Sequence, residues 1–216
     1  SGPAQMPRKL IAIDDRVYAP LHINGPLMQF DAATGELLRT YETTAAAEEV
    51  IHLDGILLVV VNPDPSNLAD VEEERRKRRH FNYDGRNRVV IDHDKAKRIV
   101  AIRANTGEVL WERVGPRVSP LSLAAKNHNA VYHDGQHIVC LNLQTGEEKW
   151  KSEPIVERLK MIAEESPTLV LHDDAVFYAR SKQFTAVSIE DGKTLWTAPW
   201  VTDDYRSPVS VMLMHD

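Results

Sequence analysis

This sequence predicts an all-β fold, a β-propeller of four-stranded antiparallel blades, and three observations lead there. An eleven-residue window recurs four times: QFDAATGELLR at 29–39, AIRANTGEVLW at 101–111, CLNLQTGEEKW at 140–150 and AVSIEDGKTLW at 186–196. The turn glycines of these windows, Gly35, Gly107, Gly146 and Gly192, are 72, 39 and 46 residues apart by subtraction of their positions. Two of those spacings fit a repeat of roughly 40–45 residues, the length of a propeller blade. Beside the windows runs a second series of short turns, each leading into small and apolar residues: DDRVYAP from Asp14, DGILLVV from Asp54, HNAVYHD from His128 and DDAVFYA from Asp173.

Taken in order, one repeat reads strand, turn, strand, turn, strand, Thr-Gly turn, strand. Asp-Asp and Asp-Gly suit tight hairpins, because Asp tolerates the left-handed conformation and Gly adopts it freely. A further turn follows each run, at Asn24-Gly25, Asp134-Gly135 and 181–183. The segments RKLIAID, RVYAPL, PTLVLH, AVFYA and FTAVSI are rich in β-branched and aromatic residues, as strands are. ILLVVV at 56–61 and AVFYA at 175–179 are apolar nearly throughout, so both faces of those strands are expected to be covered by stacked sheets. Blade one spans about 8–44, blade two 45–115, blade three 116–155 and blade four 156–206. Residues 207–216, SPVSVMLMHD, read as the first strand of a further blade. Four blades and one strand do not close a ring, so the chain reads as part of a larger propeller of seven or eight blades.

Composition excludes several classes. Of the 216 residues 43% are hydrophobic and 27% charged, which suits a globular core rather than a disordered tail. No apolar run approaches the ~18 residues of a membrane helix, and SGPAQMPRKL at the start lacks the apolar core of a signal peptide. Cys140 is the only cysteine, which excludes an internal disulfide and a Cys-rich zinc site. The formal charge of −6 argues against nucleic acid as a partner.

The four windows resemble the tryptophan-docking motif of the quinoprotein-like, PQQ-like repeat β-propeller family, in which Ala, Asp, Thr-Gly and a Trp four places after the Gly recur. Ala101, Thr106, Gly107 and Trp111 match it, with Arg103 at the Asp position. Thr145, Gly146 and Trp150 match with Asn142 there, and Ala186, Gly192 and Trp196 with Ser188 there. Asp31, Thr34 and Gly35 match in the first window, where Arg39 replaces the Trp. The resemblance is greatest to non-enzymatic bacterial proteins of the BamB type and PQQ-binding-like repeat proteins. It implies a protein- or ligand-binding scaffold, with periplasm or cell envelope as the compartment. Other members are dehydrogenases using pyrroloquinoline quinone and calcium, so part of such an oxidoreductase is the alternative. Fold alone does not choose between them.

The residues have a physical reading of their own. Gly supplies positive φ in the turn, Thr or Asp before it bonds back to the turn backbone, and Trp offers a large flat surface with one N–H donor. Regular recurrence assigns the Trp residues to blade-to-blade packing rather than to sugar stacking. Arg39 marks blade one as packing differently, as an end or junction blade would.

Residues 63–97 lengthen the first spacing and form an insertion in blade two. Asp64-Pro65 suits a helix start, and Glu72–Arg76, Glu73–Lys77 and Glu74–Arg78 are i,i+4 pairs. The segment reads as a solvated helix. Its cluster Arg75, Arg76, Lys77, Arg78, Arg79 is the candidate interaction surface, since long loops on a rigid frame carry function.

No catalytic constellation emerges. Asp14, Asp15, Asp54, Asp134, Asp173 and Asp191 all fall in predicted turns, and His52, His133 and His172 precede turns, where exposure is the default. Asp92 and Asp94 in IDHD share one face of an extended segment, yet two carboxylates seldom hold a cation. The Cys pair common over the quinone of the family's dehydrogenases has no counterpart here. No cofactor is therefore predicted. A protein partner or fused domain is expected, and exposed blade faces suit a homodimer.

Overall fold

The computed structural model of the chain describes residues 8–22, 24–65, 95–155, 168–180 and 183–199. Strand-rich segments and tight turns build four antiparallel sheets, each with its strands in sequence order. The first holds β1 (Ile11–Ile13), β2 (Arg16–Ala19), β3 (Leu27–Asp31) and β4 (Leu37–Tyr41). The second holds β5 (Ala47–Leu53), β6 (Ile56–Val61), β7 (Arg98–Arg103) and β8 (Val109–Val114). The third holds β9 (Ala124–Lys126), β10 (Asn129–His133), β11 (Ile138–Asn142) and β12 (Glu148–Lys151). The fourth holds β13 (Thr168–His172), β14 (Ala175–Arg180), β15 (Gln183–Ser188) and β16 (Thr194–Pro199). The first strands of successive sheets touch in the order β1, β5, β9, β13. These are the blades of a propeller. A 3-10 turn at Glu42–Thr44 links the first two.

Two turns recur in every sheet. The first hairpin carries Asp14, Asp54, Asn127 or Asp173 at φ between 46° and 54°, a region that costs most residues strain and that Asp and Asn tolerate. The turn between third and fourth strands carries Gly35, Gly107, Gly146 or Gly192 at φ between 72° and 79°. There the glycine N–H donates to the carbonyl four residues back, Asp31, Arg103, Asn142 or Ser188, at 2.8–3.0 Å. The Asp position of the motif earns its preference here. Asp31 Oδ1 accepts from the N–H of Ala33 and Thr34, Asn142 Oδ1 from those of Gln144 and Thr145, and Ser188 Oγ from Glu190. Arg103 has no such acceptor; its Nε pairs with Glu108 at 3.0 Å instead. Each sheet also shifts register between its third and fourth strands, at Gln29/Phe30, Ala101/Ile102, Cys140/Leu141 and Ala186/Val187.

Three apolar layers separate the four sheets. Tyr18, Leu27, Val50, Leu57 and Val100 fill the first, Leu58, Ile99, Leu123, Tyr132 and Leu141 the second, and Val131, Ile138, Leu169 and Tyr178 the third. Alternate residues of β6 feed the first and second layers, so all six of its residues are buried. β14 differs from the expectation of two covered faces. Val176 and Tyr178 are buried and Phe177 only half so, because no further sheet among the described residues lies over that side.

The insertion leaves β6 and returns at β7, between adjacent antiparallel strands. Its stem is clamped by Lys97, 1% exposed, whose Nζ reaches Glu48 at 2.9 Å. Lys95 to Asp64 at 2.6 Å adds an outer pair. The expected helix, its basic cluster, IDHD and the strand at 207–216 lie outside the described residues.

A Cβ at Gly146 would stand 2.6 Å from the Trp111 ring, whereas one at Gly55, also at positive φ, meets nothing within 4 Å. Gly55→Ala is therefore expected to cost about 1–2 kcal/mol for the left-handed backbone alone. Gly146→Ala adds an overpacking cost of about 1–3 kcal/mol, and paired urea unfolding curves measure the difference.

Candidate functional site

Of the sequence-predicted site residues, Gly107, Trp111, Gly146, Trp150 and Gly192 stand at blade junctions. Trp111 on β8 lies flat on the Gly146 turn, with Nε1 donating to the Leu143 carbonyl at 2.8 Å. Trp150 on β12 repeats this on the Gly192 turn, with Nε1 donating to the Ile189 carbonyl at 2.8 Å. Both are 9% exposed. The Thr hydroxyls stay within their own turns: Thr34 Oγ1 accepts from Glu36, Thr106 from Glu108 and Thr145 from Glu147.

Arg39 occupies the place of the missing Trp. Its side chain covers Gly107, Cδ and Nη1 each standing 3.3 Å from where a Cβ would be, and Nη2 donates to the Asn105 carbonyl at 3.2 Å. Blade one thus packs by different chemistry in the same position. The indole's second task passes to a residue that the windows do not contain. Tyr41 Oη donates to the Ala104 carbonyl, and Ala104 stands three residues before its turn glycine just as Leu143 and Ile189 do. Burial holds the Tyr41 phenol above its usual range.

Trp196 completes the series in sequence but not in contact. It pairs with Ala186 across β15 and β16, as Trp111 pairs with Ala101 and Trp150 with Cys140. It is 44% exposed, resting beside Phe177 and Phe184 at ring distances of 6.0 and 5.4 Å. No glycine turn among the described residues lies beneath it.

Two polar clusters were not legible in the motifs. A cavity of about 350 Å³ opens between the second and third sheets, lined by Arg113, Arg117, Tyr132, Asp134, Glu148 and Lys151 among others. Arg113 crosses the junction to Glu148 at 2.6 Å, and Lys151 meets Asp134 at 2.8 Å. Burial opposes the Asp134 charge, but Lys151 and the N–H groups of His137 and Gln136 outweigh it and hold the carboxyl at about 2. The second cluster is Glu49 on β5, 3% exposed. A register shift between Ala47 and Glu49 accompanies its inward setting. It pairs with Arg8 and accepts from the backbone of Leu123 and Leu121, and burial pushes its carboxyl up to about 7.

His133 departs from the exposure expected of a residue before a turn. It is fully buried, with Nδ1 2.8 Å from Ser119 Oγ and accepting from the Gly135 N–H at 3.2 Å. The spacing is that of a nucleophile and its base, yet Ser119 is also 0% exposed, so no substrate reaches it. Ser119 and Ser122 instead pin the 116–123 connection to β10. Cys140 is buried, and burial raises its thiol to about 11.

The calcium of a quinone site needs several oxygen ligands. Among the described residues no three His, Cys, Asp or Glu side chains stand together to hold a metal, so those residues do not fit one. No helix among them is long and apolar enough to cross a membrane.

Residues 66–212 match the family model described as outer membrane protein assembly factor BamB. Among solved structures, the computationally designed Ika8 protein is similar at TM-score 0.60 and 15% identity, over 96% of this chain and 52% of that one. BamB from Moraxella catarrhalis follows at TM-score 0.52 and 14% identity, over 87% of this chain and 50% of that one. Quinohemoprotein alcohol dehydrogenase from Comamonas testosteroni is similar at TM-score 0.57 and 13% identity, over 94% and 37%. The chain therefore spans half or less of the length of the two natural proteins. No curated protein sequence matches it.

Two expected outcomes follow from the junction and the buried acid. Tyr41→Phe leaves the buried Ala104 carbonyl unsatisfied and costs about 1–3 kcal/mol. In an Arg39→Trp background that cost shrinks, because the indole N–H reaches the same carbonyl; a double-mutant cycle reads the coupling. Glu49 has a folded pKa above its ordinary value, so its contribution is complete below about pH 4.5 and is lost as pH rises through about 7. The melting temperature should fall across that window relative to Glu49→Gln, which removes the titration.

Proposed function

The chain belongs to the family of the outer membrane protein assembly factor BamB, a family of PQQ-like repeat propellers, and from that premise we propose that it is a non-catalytic scaffold that binds a protein partner or a fused domain. The observation that carries this reading is how the polar side chains are used. Asp31 caps its own turn, Glu48 clamps the insertion stem, Asp134 ties Lys151 within the third sheet, Glu148 holds Arg113 across the junction of the second and third sheets, and Ser119 and His133 fasten a loop. Groups that do chemistry in enzymes serve here to hold a frame rigid, and a rigid frame displays loops and clefts in fixed geometry.

Two surfaces suit a partner. One is the mixed-charge cleft around Arg113, Arg117 and Lys151, which fits a charged polar segment better than an apolar one. The other is the 63–97 insertion with Arg75, Arg76, Lys77, Arg78 and Arg79. The family resemblance alone favours periplasm or cell envelope as the compartment.

The second reading, part of a pyrroloquinoline-quinone-dependent oxidoreductase, draws on the likeness to the quinohemoprotein dehydrogenase. That likeness concerns the fold, and the described residues offer no calcium ligand set. Thermal denaturation with pyrroloquinoline quinone and calcium separates the two readings. The scaffold is expected to show no saturable rise in melting temperature, and a rise that saturates with ligand would establish a cofactor site.

A further inference from the structure

One junction departs from the other two just past the seated side chain. Arg39, Trp111 and Trp150 lie on their glycine turns. Two residues on, and on the same side of each strand, come Tyr41, Arg113 and Ser152. Tyr41 gives its hydroxyl to the Ala104 carbonyl, and Ser152 Oγ accepts from the Ile138 N–H at 3.0 Å. Both serve the backbone. Arg113 instead crosses to Glu148 at 2.6 Å and bonds the Tyr132 hydroxyl, and the cavity of about 350 Å³ opens beside it. The repeat does not require this arrangement, since the other two junctions stand without it.

The cavity is held in shape from several sides. Its buried lining is Tyr132 and Val139, 3% and 2% exposed. The wall at Gly115 and Pro116 is tied to the stem of the insertion: Gly115 N–H donates to the Lys97 carbonyl at 2.9 Å, and Lys97 N–H donates to the Pro116 carbonyl at 2.7 Å. Lys97 is fixed in turn by Glu48. Lys151 is set by Asp134 at 2.8 Å, and Asp134 accepts from the N–H groups of Gln136 and His137. A ligand therefore meets groups already ordered, which lowers the cost of binding. Arg113 and Lys151 keep 34% and 43% of their side chains exposed, so an incoming group reaches both without opening a dry ion pair. The volume is at the lower end of the ~300–1,000 Å³ of ligand pockets.

Charge selects the ligand. Arg113, Arg117 and Lys151 line the cavity against Asp134 and Glu148, an excess of one positive charge in a chain of formal charge −6. A guanidinium has five N–H donors and an ammonium three. Arg113 gives to Glu148 and Tyr132, and Lys151 to Asp134, so both hold further donors for a charge-assisted bond. One carboxylate matches the excess, whereas a phosphate monoester brings close to two negative charges. The acidity of the whole chain opposes a long polyanion. We propose that this cleft is the docking point for an acidic segment of the partner protein, one Glu or Asp side chain entering it with its carboxylate received by Arg113 and Lys151. The assignment rests on the scaffold reading and gives that scaffold a binding site.

Nuclear magnetic resonance on the isotope-labelled 216-residue chain tests it, with three blocked tripeptides as probes: acetyl-Gly-Glu-Gly-amide and the same peptide with Gln or phosphoserine at its centre. The Glu peptide is expected to shift the amide signals of Gly115, Arg117 and Asp134 saturably, and the Gln peptide to bind about tenfold or more weakly. Lys151→Gln should weaken the Glu peptide by a similar factor. Glu148→Gln separates recognition from folding. It removes a carboxylate that competes for Arg113, so the Glu peptide should bind about two- to fivefold more tightly, whereas damage to the junction would weaken it. Equal binding of the Glu and Gln peptides, tighter binding of phosphoserine, weaker binding to Glu148→Gln, or no saturable shift at the cleft would each overturn the assignment. Any of these leaves the scaffold reading standing, because that reading falls only to a stabilisation by quinone and calcium.

Discussion

The seating of a flat side chain on the glycine turn of the next sheet is the contact on which the rest of this fold depends. A four-stranded sheet has two faces and cannot bury both alone. Apolar layers between sheets supply the bulk of the stabilisation, but they are non-directional and would tolerate sliding. The indole on its turn is directional. Trp111 and Trp150 each join a ring to a bare backbone and an N–H to a chosen carbonyl, which fixes the angle and the offset of neighbouring blades. Positive φ, the absence of a Cβ and the register shift ahead of the Trp are all conditions for that one contact.

Much of this was legible in the sequence, because a repeat writes the same constraint several times. The windows hold the turns, and Trp111 and Trp150 stand at junctions on the Gly146 and Gly192 turns, whereas Gly35 and Trp196 meet no such partner among the described residues. What escaped was whatever happens once. Tyr41 lies two residues beyond its window, and its counterparts Arg113 and Ser152 have unrelated tasks, so no pattern marked it as the donor to Ala104. Glu49 lies in no repeated motif, and its burial accompanies a local register shift that no residue type announces. His133 was expected at the surface because it precedes a turn, and it is buried because the 116–123 connection folds back over it. Single contacts between segments distant in sequence have no period to betray them.

The first junction shows how a strong motif can be replaced. One indole does two jobs, covering a glycine and satisfying a carbonyl. In blade one the covering falls to the Cδ and guanidinium of Arg39 and the satisfaction to the hydroxyl of Tyr41. The geometry of the partner turn is unchanged, so the next blade is set as it would be by Trp. A motif search scores this window as degenerate, whereas the physical requirement is met in full.

The stem of the insertion bears on how such a protein changes over time. Residues 62–97 join two strands that are already neighbours, and their ends are tied by Lys97 to Glu48 and by Lys95 to Asp64. Each doubling of a flexible connection between fixed ends adds only about 0.6 kcal/mol of closure entropy. Among the described residues, the indole contacts that set one blade against the next, Trp111 on the Gly146 turn and Trp150 on the Gly192 turn, lie outside it. Length and composition there can drift, or be exchanged wholesale, while the frame stays in register. A connection held in this way can change without the scaffold having to refold.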